Sequence, residues 1–138
     1  MHSFIFAIYL TVLKMNEAQR KLKMIVNVVV SASITAIKFE NQEEILMRDI
    51  FSKSKRENVV RARTLLAVAL YKYGYTVEDV SFVLNVSKSA VSKMFVAHEE
   101  YKKLSRIYDL TCESVKRQIE SYRTQDDEYM QRVTSMIE

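Results

Sequence analysis

Three observations predict an all-α fold for this chain. It has no proline and one glycine, Gly74, so the residues that punctuate hairpins and sheet corners are nearly missing. Ala, Leu, Lys, Arg, Glu, Met and Gln, which favour helices, are plentiful. Apolar residues recur at steps of three and four through much of the sequence. At 138 residues the expectation is one compact multi-helix domain with its own core, containing a helix-turn-helix and carrying a C-terminal helical extension.

Each element has its own justification. Residues 1–15 form an apolar N-terminal segment of uncertain role, in which the run 4–13 resembles the hydrophobic part of a signal peptide. No Lys or Arg precedes that run, no small-residue cleavage pattern follows it, and it is too short to cross a bilayer as a helix. Three readings stand: a buried helix or strand, an interfacial segment, or translation begun upstream of a start at Met15. Residues 16–39 read as a helix with Leu22, Ile25, Val26, Val29, Ser33, Ala36 and Ile37 on one face. The β-branched run 25–30 also suits a strand, although no partner strand is evident. A short helix is expected over 42–51, with Ile45, Leu46 and Ile50 inward, followed by a polar basic loop over 52–56. The helix 57–73 has too many apolar positions for one narrow stripe and is expected to be central.

Gly74 then marks a helix C-terminus, where a left-handed residue costs least without a Cβ. Residues 76–95, TVEDVSFVLNVSKSAVSKMF, place apolar and polar positions as two short helices joined by a tight turn require. Thr76 and Asp79 form a Thr-x-x-Asp capping pattern, Asn85 tolerates the positive φ of the turn, and Ser87 is placed to cap the second helix. Val77, Val80 and Leu84 line the inner face, Val86 plugs the turn, and Val91 with Met94 or Phe95 anchors the second helix. Ser87, Lys88, Ser89, Ser92 and Lys93 are left facing outward, as small polar and cationic groups that a major groove accepts. A pair of ordinary core helices is the bland alternative.

Beyond residue 104, Tyr108, Cys112, Val115, Ile119, Tyr122, Tyr129, Val133 and Met136 follow steps of four and three, interrupted at Asp126. This resembles a heptad seam. It can pack back on the domain, join two subunits as a homodimer through residues 105–138, or bind another protein. Thr124 and Asp127 can also cap a new helix and split the tail at 122–125. The organisation is therefore 1–15, a helical domain over 16–104 with its helix-turn-helix at 76–101, and an extension over 105–138.

The formal charge of +4 is unevenly spread, since Lys53, Lys55, Arg56, Arg61 and Arg63 crowd one segment. Cys112 is the only cysteine, which fits a reducing, cytoplasmic setting. His2 and His98 are far apart, and His98 is expected on a helix surface. Phosphate loops, nucleophile triads, zinc spacings and paired catalytic carboxylates are missing from the pattern, and Asp126, Asp127 and Glu128 read as a solvated helix start. The expectation is a protein without catalytic residues, cofactor, metal, membrane contact or small-molecule substrate, whose partner is double-stranded DNA. The rival expectation is an interaction or scaffold protein that keeps the helix-turn-helix shape for packing.

Residues 52–102 resemble the C-terminal DNA-binding domain of the bacterial replication initiator DnaA. SKSKRENVVRAR, residues 52–63, is similar to that family's basic loop and long helix, and YGYTVEDVSFVLNVSKSAVSKM, residues 73–94, stands in the place of its helix-turn-helix and signature helix. The resemblance implies an all-helical fold related to the Trp repressor, with the basic loop reaching a minor groove and the second helix of the motif in the major groove. It puts Arg56 in the basic loop with Lys53 and Lys55 as phosphate neighbours, and Arg63 in the family's Ala-Arg pair as a further phosphate contact. Lys88 and Ser89 stand at the His-Thr part of the Arg-Asp-His-Thr-Thr-Val signature, and Val91 matches its last residue. Val86 and Ser87 replace Arg-Asp and Ala90 replaces a Thr, so the family's base-reading set is mostly exchanged here. No Walker A sequence accompanies the domain. The resemblance thus implies a stand-alone DNA-binding piece from a phage or mobile element, or a small regulator.

Overall fold

Helix α1, Glu17–Asn41, opens on a reciprocal cap. The Asn16 side chain accepts from the Gln19 amide at 2.8 Å while the Gln19 side chain accepts from the Asn16 amide at 3.0 Å. This computed structural model describes residues 16–137. The segment 1–15 and the readings made of it lie outside the described residues. In α1 the β-branched run is helical, and Ile25, Val26, Val28, Val29, Val30 and Ile37 are all buried. Tertiary packing on both flanks outweighs the modest helix cost of β-branching. The helix is also long and apolar enough to cross a bilayer by length and composition. Here α1 packs against two other helices of the fold.

The short helix expected over 42–51 is only α2, Met47–Ile50. Gln42 ends α1 in the left-handed region at φ 54°, its amide donating to the Lys38 carbonyl, and the chain stays non-helical until Leu46. Ile45 and Ile50 are buried as expected, but Leu46 points outward because the extended backbone before α2 breaks the helical spacing.

Helix α3, Glu57–Lys72, is the centre of the molecule and packs against α1, α2 and two later helices. Val59, Ala62, Leu65, Leu66, Ala67, Ala69 and Leu70 are buried around most of its circumference. At its end Gly74 takes φ +105°, the Tyr75 amide reaches back to the Leu70 carbonyl at 3.1 Å, and Lys21 of α1 donates to the Tyr73 carbonyl at 2.7 Å. The glycine is required by that positive φ, and the lysine satisfies a carbonyl that the helix leaves free.

Helices α4, Val77–Leu84, and α5, Lys88–Leu104, follow, and α6, Arg106–Ile137, closes the fold on α1 and α5. The first half of the expected C-terminal extension belongs to the core: Tyr108, Val115 and Ile119 are buried. The alternative in which Thr124 and Asp127 cap a new helix and split the tail at 122–125 is not the one that forms. Thr124 turns its hydroxyl back to the Glu120 carbonyl at 3.0 Å instead of capping, and α6 runs on as one helix. Tyr122, Tyr129 and Met136 on its second half are exposed, so the seam divides into a buried half and an open half.

Candidate nucleic-acid interface

The α4–α5 turn is built from local hydrogen bonds that the sequence specifies. Thr76 and Asp79 cap α4 reciprocally, at 2.9 Å from the Thr76 amide to Asp79 and 3.1 Å from the Asp79 amide to the Thr76 hydroxyl. Asn85 takes φ 53°, and the Val86 amide donates to the Ser81 carbonyl at 3.1 Å while the Ser81 hydroxyl donates to the Val86 carbonyl. The Ser87 hydroxyl accepts from the Ala90 amide at 3.0 Å and starts α5. Val80, Leu84 and Val91 are fully buried beneath the turn, with Val77, Val86, Met94 and Phe95 partly buried beside them.

Burying one face of α5 fixes what the other presents. Ser87, Lys88, Ser89, Ser92 and Lys93 are all exposed, and 88, 89, 92 and 93 share a helix face by their spacing. Lys88 is engaged: its Nζ lies 2.6 Å from Oε1 of Glu78 on α4. Lys93 has no ion pair among the described residues.

The basic loop is organised from within. Arg63, expected as a phosphate contact, is buried at 7 % exposure, with its guanidinium turned under the loop. Its Nε donates to the Ile50 carbonyl at 2.9 Å, Nη1 to Ser54 at 3.1 Å, and Nη2 to Ser52 at 2.6 Å and Asp49 at 3.4 Å. A planar cation with five donors suits a chain that crosses over it, because otherwise those carbonyls would be short of partners. Arg63 therefore shapes the loop and cannot also reach DNA. Ser52 and Ser54 complete the turn through hydroxyls that accept from the Ser54 and Arg56 amides.

Arg56 lies between two carboxylates, 3.0 Å from Glu43 and 3.5 Å from Asp49. Glu43 also accepts from Asn58 at 2.6 Å, and Asp49 accepts from the Leu46 amide at 2.7 Å. Lys53 and Lys55 are exposed and without ion pairs among the described residues. Arg61, another cation of the crowded segment, is paired with Glu57 at 2.8 Å and stacked over Tyr101 at 5.1 Å. Of five cations the loop and its helix thus leave two unpaired, and nothing in the periodicity of the sequence separates them from the other three.

Two contacts orient these features. Tyr71 meets Phe95 at 5.0 Å between ring centroids, and Arg61 lies over Tyr101, so α3 and α5 run in opposite directions. The start of α5 is therefore towards the C-terminal end of α3 and the basic loop at its N-terminal end, at opposite ends of a helix of 16 residues that is roughly 24 Å long at about 1.5 Å per residue.

His98, expected on the surface, is buried, with Nδ1 2.7 Å from the Tyr108 hydroxyl across the α5–α6 contact. The apolar stripe of α5 continues to it, and the hydroxyl gives its ring a partner there. Burial lowers its pKa below the ordinary value, opposed by Glu99 and Asp109 and reinforced by Lys102 and Lys72. Burial also pushes the Cys112 thiol up to about 11, so it stays protonated at neutral pH and is a poor nucleophile. No group of His, Cys, Asp and Glu among the described residues is arranged to hold a metal ion.

A second surface lies between α1 and α6. A cleft of about 390 Å³ is lined by Phe39, Ile107 and Leu110 together with small residues such as Ala32 and Ala36. Phe39 is 80 % exposed. In comparisons with known proteins no family model, curated protein or solved structure matches this chain.

Proposed function

We propose that this is a non-enzymatic DNA-binding protein in which α4 and α5 act as a helix-turn-helix, α5 enters the major groove, and the basic loop meets the backbone or minor groove. The observation that carries this reading is the outer face of α5, where two lysines and three serines stand exposed while the opposite face is sealed by Val91, Met94 and His98. Lys88, Ser89, Ser92 and Lys93 face base edges or phosphates. Ser87 caps the helix through the Ala90 amide and leaves the amides of Lys88 and Ser89 for a phosphate. Lys53 and Lys55 supply flanking phosphate contacts, and Arg63 holds the loop that carries them. The two regions stand at opposite ends of α3, so they would meet one duplex at separate stretches, on the order of the ~34 Å helical turn apart.

The resemblance to the DnaA domain in residue order supports the same reading, as a phage or mobile-element protein of that kind or a small transcriptional regulator. Sequence discrimination is modest, because the face lacks the Arg, Asn and Gln side chains that pair bidentately with bases. A homodimer through the open half of the α6 seam, at Tyr122, Tyr129 and Met136, would add a second half-site.

The test is binding to duplex DNA of random sequence across a salt series. Affinity should fall steeply with salt, and K53A/K55A should weaken binding several-fold and flatten the slope by up to about 2. No binding at low salt would refute the reading. The cleft between α1 and α6, with Phe39 and Leu110 on its rim, favours the rival: a protein-interaction or scaffold role for the same fold. That role predicts stable self-association or partner binding with no duplex affinity.

A further inference from the structure

We infer that Glu78 is a built-in competitor for DNA: in the free protein its carboxylate occupies Lys88, the cation that a phosphate would take, and so restrains binding by the α5 surface. This rests on the DNA-binding reading. Lys88 is the first residue of α5, beside the positive end of that helix, and the first turn of α5 contains no acidic residue. A cation is locally disfavoured there, whereas a carboxylate in the first turn of α4, where Glu78 sits, is favoured. The pair thus joins a residue its own helix selects against to one its own helix selects for. Departures from local preference of this kind concentrate at functional positions.

The geometry suits exchange better than permanent attachment. Nζ and Oε1 are 2.6 Å apart, yet the side chains are 61 % and 73 % exposed, so an incoming phosphate has access to the lysine. Exposed pairs of this type open at little cost and are screened by salt. Glu78 makes no other hydrogen bond among the described residues, so its removal leaves no structural partner orphaned. Arg56 shows a related arrangement with Glu43 and Asp49. Those carboxylates also hold Asn58 and the Leu46 amide, which makes Glu78 the cleaner position to test. When a phosphate draws Lys88 away, Glu78 is left uncompensated near a second anion. The restraint therefore has two parts: loss of the pair and repulsion of the backbone.

The experiment measures binding of one random-sequence duplex to wild type, E78Q, K88A and E78Q/K88A over a salt series, with helix content and unfolding midpoint checked for each. E78Q should bind about three- to tenfold more tightly than wild type at low salt, with the advantage shrinking as salt rises. Its log–log salt dependence should steepen by up to about 0.9, because one opposing negative charge is gone from the interface. E78Q/K88A should exceed K88A by less than E78Q exceeds wild type, since only the repulsion of the backbone is left to relieve there. Equal affinity of E78Q and wild type would overturn the inference. So would a gain of the same size in the K88A background, which would assign it to long-range charge alone, or an unaltered affinity of K88A, which would leave DNA binding standing without Lys88. Failure of both wild type and E78Q to bind at the lowest salt would instead refute the DNA-binding reading, and this inference with it.

Discussion

The α4–α5 turn and the basic loop are both short, polar and lysine-bearing, yet they are held in different ways. The turn is closed by neighbours: Thr76 with Asp79, Ser81 with Val86, Ser87 with Ala90. The loop is closed from a distance, by Arg63 reaching carbonyls nine to fourteen residues away and by Glu43 reaching Arg56 across thirteen. A locally closed turn leaves its cations at the surface, apart from one ion pair. A loop closed by a buried cation uses up part of the positive charge that made it look like a phosphate site. The local density of Lys and Arg therefore overstates how much charge the loop presents.

The largest test of this contrast is Arg63→Ala. It strips the loop of its central donor and should cost about 3 kcal/mol in urea unfolding, because one buried and three partly buried carbonyls lose a charged partner. Lys53→Ala in the same loop should leave stability within about 0.5 kcal/mol. Equal small effects would mean that Arg63 is an ordinary surface cation. Leu84→Ala, beneath the turn, should cost about 3 kcal/mol through the cavity it leaves, since Leu84 is 1 % exposed. Ser87→Ala should cost about 1 kcal/mol as a lost N-cap, with Ser87→Gly milder. A cost well above 2 kcal/mol would show that the turn has long-range ties comparable to those of the loop.

A smaller effect, separate from both regions, comes from the α5–α6 contact. His98 is held neutral by burial, so its pKa in the fold lies below the ordinary 6.5. The unfolded chain then binds the proton more readily. The stability contributed by neutral His98 is fully present above about pH 6.5 and is lost as pH falls through the folded value. His98→Phe should remove that part of the acid dependence, as read from unfolding midpoints between neutral and mildly acidic pH. Tyr108→Phe should cost about 1 kcal/mol near neutrality as one buried hydrogen bond.

What could be read in the sequence follows the same division. The all-α class, the central helix, the glycine stop and the caps at Thr76 and Ser87 were legible because each rests on residues within one turn of one another. The fate of Arg63 and the ion pairs at Arg56 and Lys88 depend on which helices lie side by side, and neither spacing nor composition encodes that directly; the burial of His98 does follow the apolar stripe of α5, and its Tyr108 partner does not. The α6 seam was legible as a stripe, but where it leaves the core depends on where α1 starts. The short α2 was overestimated at its start because the left-handed Gln42 ends α1 and non-helical backbone follows as far as Leu46, and glutamine carries no strong sequence signature for that geometry. For the candidate site, the exposed face of α5 follows from periodicity, whereas the division of the loop into free lysines and occupied arginines required the tertiary structure.

The most direct test maps amide chemical-shift changes on titrating a duplex into the labelled protein at low salt. DNA binding through the α4–α5 unit predicts the largest changes across residues 87–93, a second group at Lys53 and Lys55, and little along the α1–α6 cleft. Changes concentrated around Phe39 and Leu110, or none anywhere, would contradict it.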